Sequence, residues 1–120
     1  MIVFEDFQKL NEAIMEGEKQ QLKDYNDITT VNFSIKVIEN EVLNKICVET
    51  DPETLKPRFT NEMMRKSEHA QRLNKHEAYQ EVNKTLSNLE KGKELRNIEI
   101  EGMKRMFAAM KSINYAGREE

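Results

Sequence analysis

The chain has 120 residues, of which 34% are charged and 7% are aromatic, and its formal net charge is −3. This length fits one small domain and leaves no room for a catalytic domain joined to a regulatory one. The low aromatic content, without tryptophan, leaves too little apolar volume for a thick core, so an elongated helical bundle or hairpin is favoured.

Cysteine content and hydropathy indicate the compartment. The single cysteine, Cys47, cannot form an intrachain disulfide, so we expect a reducing, cytoplasmic environment. No apolar run approaches the roughly 18 residues of a membrane span, so no membrane is expected. Met1–Phe4 is followed by Glu5 and Asp6, which does not resemble a signal peptide.

The first half of the chain carries apolar residues at helical spacing. They predict a helix over about residues 4–16, and Gly17 weakens the pattern after it. The pattern resumes in the same heptad register, which predicts a helix over 18–48 and favours one long helix through the polar gap. The apolar positions of this shared frame are Phe7, Leu10, Ile14, Ile28, Val31, Ile35, Ile38 and Val42.

Residues 31–37 also fit a β-strand, because Val31, Phe33, Ile35 and Val37 alternate with polar residues. Residues 38–46 continue at helical spacing, which favours the helix. In a helix, Phe33 and Val37 lie off the main seam and need a second neighbour, as in a bundle or a dimer.

Both prolines lie in the connection predicted over residues 50–60, since proline interrupts a helix. Thr60 or Asn61 can cap the next helix, which is predicted over residues 61–73. Glu62 lies favourably in its first turn.

The segment 76–114 has the cleanest heptad pattern, and its seam is apolar or aromatic except at Lys93 and Arg96. It predicts a long helix that needs a partner helix. We therefore predict an all-α fold, a long antiparallel helical hairpin or coiled-coil bundle, as a single helical domain over residues 1–120 that forms a homo-oligomer. The predicted helix–helix interface consists of Ile28, Val31, Ile35, Ile38, Val42, Tyr79, Val82, Leu86, Leu89, Ile100, Met103, Phe107 and Met110.

An antiparallel hairpin predicts a register. If helices 28–46 and 79–113 pack around the connection, Val42 lies near Tyr79, and residue numbers across the seam sum to about 120. Asp24 then lies opposite Arg96. At this level each seam has a charged residue in place of an apolar one, and the two charges are opposite. Because desolvation offsets much of the attraction, an ion pair here would fix the register more than it would add stability.

The densest basic stretch surrounds the connection and the helix after it. Such cations at a helix start can contact phosphate. The stretch is interleaved with Glu62, Glu68 and Glu77, so it also fits an ordinary solvated helix face. The candidate nucleic-acid-binding residues are Lys56, Arg58, Arg65, Lys66, Arg72 and Lys75.

His69 and His76 lie one heptad apart, and a metal site is the alternative to ordinary solvated histidines. A zinc-binding pair on a helix is normally spaced by one turn, so we expect no metal and no cofactor. The sequence contains no phosphate-binding loop, no GxSxG motif and no Cys/His nucleophile arrangement, so we expect no enzymatic activity.

Residues 56–82 contain a lysine-proline turn, an aromatic residue, a Thr-Asn-Glu cap, an arginine, and an Arg-Leu pair followed by an acidic-x-Tyr. The residues are Lys56, Phe59, Thr60, Asn61, Glu62, Arg65, Arg72, Leu73, Glu77 and Tyr79. This pattern resembles small helical proteins of unknown function encoded in bacteriophage and prophage genomes. The turn glycine usual in those proteins is absent here.

The resemblance implies an accessory product of a phage early region, located in the host cytoplasm. We therefore expect a non-enzymatic helical interaction protein, a phage-type accessory factor in nucleic-acid metabolism such as recombination or replication. Its expected partners are further copies of itself, a host or phage protein, or nucleic acid. The alternative is an inhibitor that binds and blocks a host protein, of the anti-defence or host-takeover type.

Overall fold

The computed structural model describes residues 2–119. Within this range it contains three helices and no β-strand: α1 (Phe4–Val48), α2 (Glu62–Asn74) and α3 (Glu77–Glu119). The predicted all-α helical hairpin is confirmed. Residues 31–37 lie inside α1, so the helical interpretation of that segment is correct and the strand interpretation is wrong.

α1 is one continuous helix, as the shared heptad frame favoured, and the predicted segments 4–16 and 18–48 are joined through Gly17. Ala13, Met15 and Glu16 precede Gly17, and Glu, Lys and Gln follow it, and all of these are good helix formers. A Cβ atom at Gly17 would lie 2.8 Å from Cγ1 of the buried Ile100. Gly17 therefore allows α3 to approach closely and does not end the helix. α3 also continues beyond the predicted end at residue 114.

The connection is held by local hydrogen bonds. Asp51 accepts a bond from the Glu53 N–H group at 2.8 Å, and Thr50 and Pro57 form an isolated antiparallel bridge. Leu55 has a φ of 58°, the left-handed conformation that glycine adopts most readily. Asn61 is the N-cap of α2, because its side chain accepts from the Met64 N–H group at 2.8 Å.

The chain divides into two compact units. We call residues up to Asp27 together with residues from Leu89 onward the terminal unit, and residues 28–88 the central unit. In the central unit, the core is formed by Val42, Ile46 and Leu73, with Ile38, Phe59 and Tyr79 packed against it. Tyr79 thus lies beside the cluster containing Val42, as the register predicted.

The terminal unit pairs the first part of α1 with the last part of α3. Its contacts run antiparallel, from the side chain of Asn114, which binds the backbone of Ile2, to Phe7 and Phe107, whose rings meet edge to face at 5.5 Å. Farther along, Gln21 donates to Asn97 at 2.8 Å. Residue numbers rise along α1 as they fall along α3, which is the geometry of a hairpin.

The predicted pairing of Asp24 with Arg96 is confirmed. Nε of Arg96 donates to Oδ2 of Asp24 at 2.7 Å, and Asp24 is buried while Arg96 reaches partly to solvent. All residues of the predicted helix–helix interface are buried or partly buried, each within its own unit. The heptad frame therefore identified the buried side of both long helices.

The Asp24–Arg96 pair can be tested by charge exchange. We expect Arg96→Glu to lower the free energy of unfolding by about 2–3 kcal/mol, because it places a second carboxylate beside a buried one. Asp24→Arg combined with Arg96→Glu should recover much of that loss. Urea unfolding followed by circular dichroism measures both effects. Lys104→Glu, in the exposed pair with Glu101, is the control and should change little. Simple additivity of the two exchanges would contradict the pairing.

Gly17 and Gly92 form a matched pair for testing the close approach of the helices. A Cβ at Gly92 meets nothing within 4 Å, so Gly92→Ala should raise stability by about 1 kcal/mol through helix propensity. Gly17→Ala has the same gain, but its methyl group overlaps Ile100. We expect it to be about 1–3 kcal/mol less stable than Gly92→Ala. Equal stability of the two variants would show that Ile100 does not constrain Gly17.

Candidate interaction sites

The predicted basic patch lies on the connection and on α2, and a residue that sequence reasoning missed, Glu49, organises it. Nη1 of Arg58 donates to Oε1 of Glu49 at 2.7 Å. Nη2 of Arg72 donates to the other oxygen of the same carboxylate, and Nε of Arg72 donates to Glu68 at 2.8 Å. One carboxylate therefore binds two arginines that approach it from different segments.

An aromatic ring completes this arrangement. The guanidinium carbons of Arg58 and Arg72 lie 5.3 and 5.7 Å from the centre of the Phe59 ring, within the range of cation–π attraction. Phe59 itself packs against the core of the central unit. We call Glu49, Arg58, Phe59, Glu68 and Arg72 the Glu49 clamp. It joins the end of α1, the connection and α2.

The remaining candidate cations divide into two pairs. Arg65 donates to the backbone carbonyl of Phe59 at 3.3 Å, and Lys66 forms an exposed ion pair with Glu62 at 3.3 Å. Lys56 and Lys75 are exposed to solvent. The structure therefore brings Arg58 and Arg72 together on one acid, and it places Arg65 and Lys66 against local acceptors.

Hydrogen bonding shifts the pKa values inside the clamp. The bonds from Arg72 and Arg58 lower the pKa of the Glu49 carboxyl group, and the bond to Glu49, followed by that to Glu68, raises the pKa of Arg72. Both shifts favour the charged forms. The Glu49 side chain is 30% exposed, so water screens part of this attraction.

The two histidines serve the local fold. Nε2 of His69 lies 2.8 Å from the carbonyl oxygen of Glu39, which only accepts, so this nitrogen carries the proton. Nδ1 of His76 accepts from the Tyr79 N–H group at 3.1 Å, near the start of α3. Within residues 2–119, no group of three or more His, Cys, Asp or Glu side chains is arranged to hold a metal ion.

Large apolar side chains are exposed on both helices of the terminal unit. On α1 these are Phe4, Met15 and Leu22, which are between 53% and 79% exposed. They are separated by three and then two helical turns, so they lie along one line of the helix. We call them the α1 line. Phe4 also borders a shallow cavity of about 320 Å³ lined by Phe7, Gln8, Asn11 and Phe107.

A second exposed set lies on α3, in the same unit. Leu95, Ile98, Met106 and Ile113 are between 58% and 64% exposed, although Phe107, in the same helix, is partly buried in the seam. All four residues lie outside the seam positions that the heptad pattern assigned to this helix. Their spacing of roughly one or two turns was the available signal.

In comparisons with known proteins, no family model, no curated protein and no solved structure matches this chain. Among the described residues, no helix is both long and apolar enough to cross a membrane.

The Glu49 clamp predicts a specific acid response. Because the folded state lowers the pKa of Glu49, its carboxylate adds stability that is fully present above its unfolded pKa and is lost as the pH falls through the folded pKa. We expect Glu49→Gln to be less stable than wild type near neutral pH and to lose less stability than wild type between about pH 7 and pH 3.

Urea unfolding at the two pH values measures this response. Glu53→Gln, the same chemical change at an exposed position of the connection, is the matched control and should follow wild type. An equal loss of stability on acidification in Glu49→Gln and Glu53→Gln would show that the clamp does not contribute to the acid response.

Proposed function

We propose that this chain is a non-enzymatic helical interaction protein that binds another protein through the α1 line of its terminal unit. The observation that carries the proposal is the exposure of Phe4, Met15 and Leu22 along one side of α1. Apolar side chains along one side of a helix are how an amphipathic helix enters a groove on a partner, and Met15 and Leu22 have the i, i+7 spacing of such contacts. Full burial of each apolar side chain would contribute about 1.5–3 kcal/mol relative to its fully exposed state, and these gains would offset part of the cost of association.

The arrangement of cations supports a protein partner over a phosphate backbone. Arg58 and Arg72 are bound to Glu49, Arg65 to a backbone carbonyl and Lys66 to Glu62. To contact phosphate, these side chains would have to leave their present acceptors. Of the six candidate residues, the exposed Lys56 and Lys75 could contact phosphate without first breaking such a contact.

The resemblance of residues 56–82 to small phage proteins supports the setting of the proposed activity. In that setting the chain acts in the host cytoplasm as an accessory factor in recombination or replication, by binding a protein of that machinery. An inhibitor of a host defence protein would use the same apolar line, and the identity of the partner separates the two roles.

The proposal is tested by affinity capture from bacterial host lysate treated with nuclease. Wild-type protein should retain a defined partner after the treatment, and Met15→Gln combined with Leu22→Gln should lose it, because both changes remove apolar area from the α1 line. Leu55→Gln changes an equally exposed side chain on the connection and should retain the partner. Mass spectrometry then identifies the partner as a recombination, replication or defence protein.

Two results would contradict this proposal. Capture that disappears on nuclease treatment would indicate bridging by nucleic acid. Direct binding of DNA or RNA that falls steeply with salt, and that charge reversal at Lys56 and Lys75 abolishes, would place the interaction on the basic patch instead. Retention of the partner by the double variant would exclude the α1 line as the contact surface.

A further inference from the structure

The exposed apolar residues of α3 form a continuous stripe that is distinct from the hairpin seam. Between the large residues lie Gly102 and Ala109, so large and small side chains alternate along one side of the helix. We call this set the α3 stripe: Leu95, Ile98, Gly102, Met106, Ala109 and Ile113. It spans about 28 Å of the helix. A Cβ at Gly102 would meet nothing within 4 Å, so this part of the stripe is open.

We propose that the α3 stripe binds the same stripe of a second copy of this chain, with the two α3 helices antiparallel and a two-fold axis close to residue 104. This inference uses a different helix from the proposed function and does not depend on it. A two-fold axis makes an interface self-complementary, so the order of side chains along the stripe decides whether the pairing is possible.

The stripe is self-complementary when it is reversed. Leu95 then lies opposite Ile113 of the second copy, at the two ends of the contact. In the middle, Ile98 lies opposite Ala109 of the second copy, and Gly102 lies opposite Met106 of the second copy. Each large side chain near the centre therefore meets a small one, which allows the two backbones to approach closely and the side chains to interlock.

A parallel pairing lacks this fit. In it, each residue lies opposite its own equivalent, so Gly102 would meet Gly102 and leave a gap. Met106 would meet Met106 and hold the helices apart at the next turn. Gaps and overlaps at successive turns of one helix are both unfavourable, because close packing requires complementary volumes at every level.

Charge at the border of the stripe supports the antiparallel arrangement. Glu101 and Arg105 lie along the same edge of the stripe, one helical turn apart. A two-fold axis perpendicular to the helices brings like edges together, so Arg105 of each copy comes next to Glu101 of the other. Two such attractions occur by symmetry, and Glu94 lies opposite the uncharged Tyr115 of the second copy.

The size of the contact sets the expected strength. One pair of helices of this length forms an interface at the small end of the range for specific complexes, so association in the micromolar range is expected. Sedimentation equilibrium over a concentration series should therefore show a monomer–dimer equilibrium. A monomer mass at every concentration up to the highest soluble one would overturn the proposal.

A pair of variants separates this surface from the α1 line. Met106→Glu places a carboxylate opposite the apolar stripe and should weaken the dimer at least about tenfold. Leu22→Glu, an equally exposed apolar position on α1, should leave the dimer unchanged. Circular dichroism confirms that both variants remain helical. Equal weakening by both, or by neither, would overturn the assignment to α3.

Cysteine crosslinking determines the direction of the helices. In a Cys47→Ser background, Leu95→Cys protein mixed with Ile113→Cys protein should form a disulfide-linked heterodimer under mild oxidation, and each protein alone should crosslink poorly. Efficient crosslinking of each alone, without a heterodimer above the statistical proportion, would show a parallel pairing and overturn the proposal. The crosslinking result does not depend on any partner captured from lysate. Absence of the dimer would therefore leave the proposed function unaffected, and absence of a captured partner would leave the dimer proposal unaffected.

Discussion

A buried carboxylate within a narrow apolar seam allows the helices of the terminal unit only one favourable alignment. Asp24 is withdrawn from water, and a buried charge is tolerated only when it is paired and hydrogen-bonded. Arg96 provides both the opposite charge and the hydrogen bond, because its Nε atom lies 2.7 Å from Oδ2 of Asp24. A shift of α3 by one turn that brings Ile100 to the level of Asp24 would place the carboxylate against an apolar residue and leave it unpaired. Desolvation offsets much of the attraction, so the pair selects an alignment more than it strengthens one. Gly17 favours the same alignment sterically, because a Cβ atom at this position would lie 2.8 Å from Cγ1 of Ile100.

The helices and their register could be predicted from the sequence because both depend on periodic features. A heptad pattern identifies the side of a helix that is buried, and Asp24 and Arg96 interrupt the two seams at the same level with opposite charge. The function of Gly17 could not be read in this way. A glycine that ends a helix and a glycine that admits a neighbouring side chain look the same in one sequence, and only the position of Ile100 distinguishes them.

The Glu49 clamp depends on a feature that periodicity does not contain. Arg58 and Arg72 reach one carboxylate only because the connection turns back, with Leu55 in a left-handed conformation. In the sequence these arginines look like an open basic patch. In the fold, both guanidinium groups lie against the Phe59 ring. A nearby carboxylate is needed to offset the repulsion between these two positive charges. Glu49 meets that requirement, which is why the patch is closer to neutral than its arginine content indicates.

The two units differ in how many helices contribute to their cores. In the central unit, α2 adds a third apolar surface, and Leu73 of α2 is part of a core shared with α1. The terminal unit has only two helices, and two helices packed along one seam can each bury only one narrow stripe. Any apolar residue outside that stripe remains in contact with water at a cost in free energy. Phe4, Met15 and Leu22 on α1, and Leu95, Ile98, Met106 and Ile113 on α3, carry that cost. Solubility alone would favour polar residues at these positions, and contacts with other chains, as proposed above for both helices, would remove this apolar surface from water.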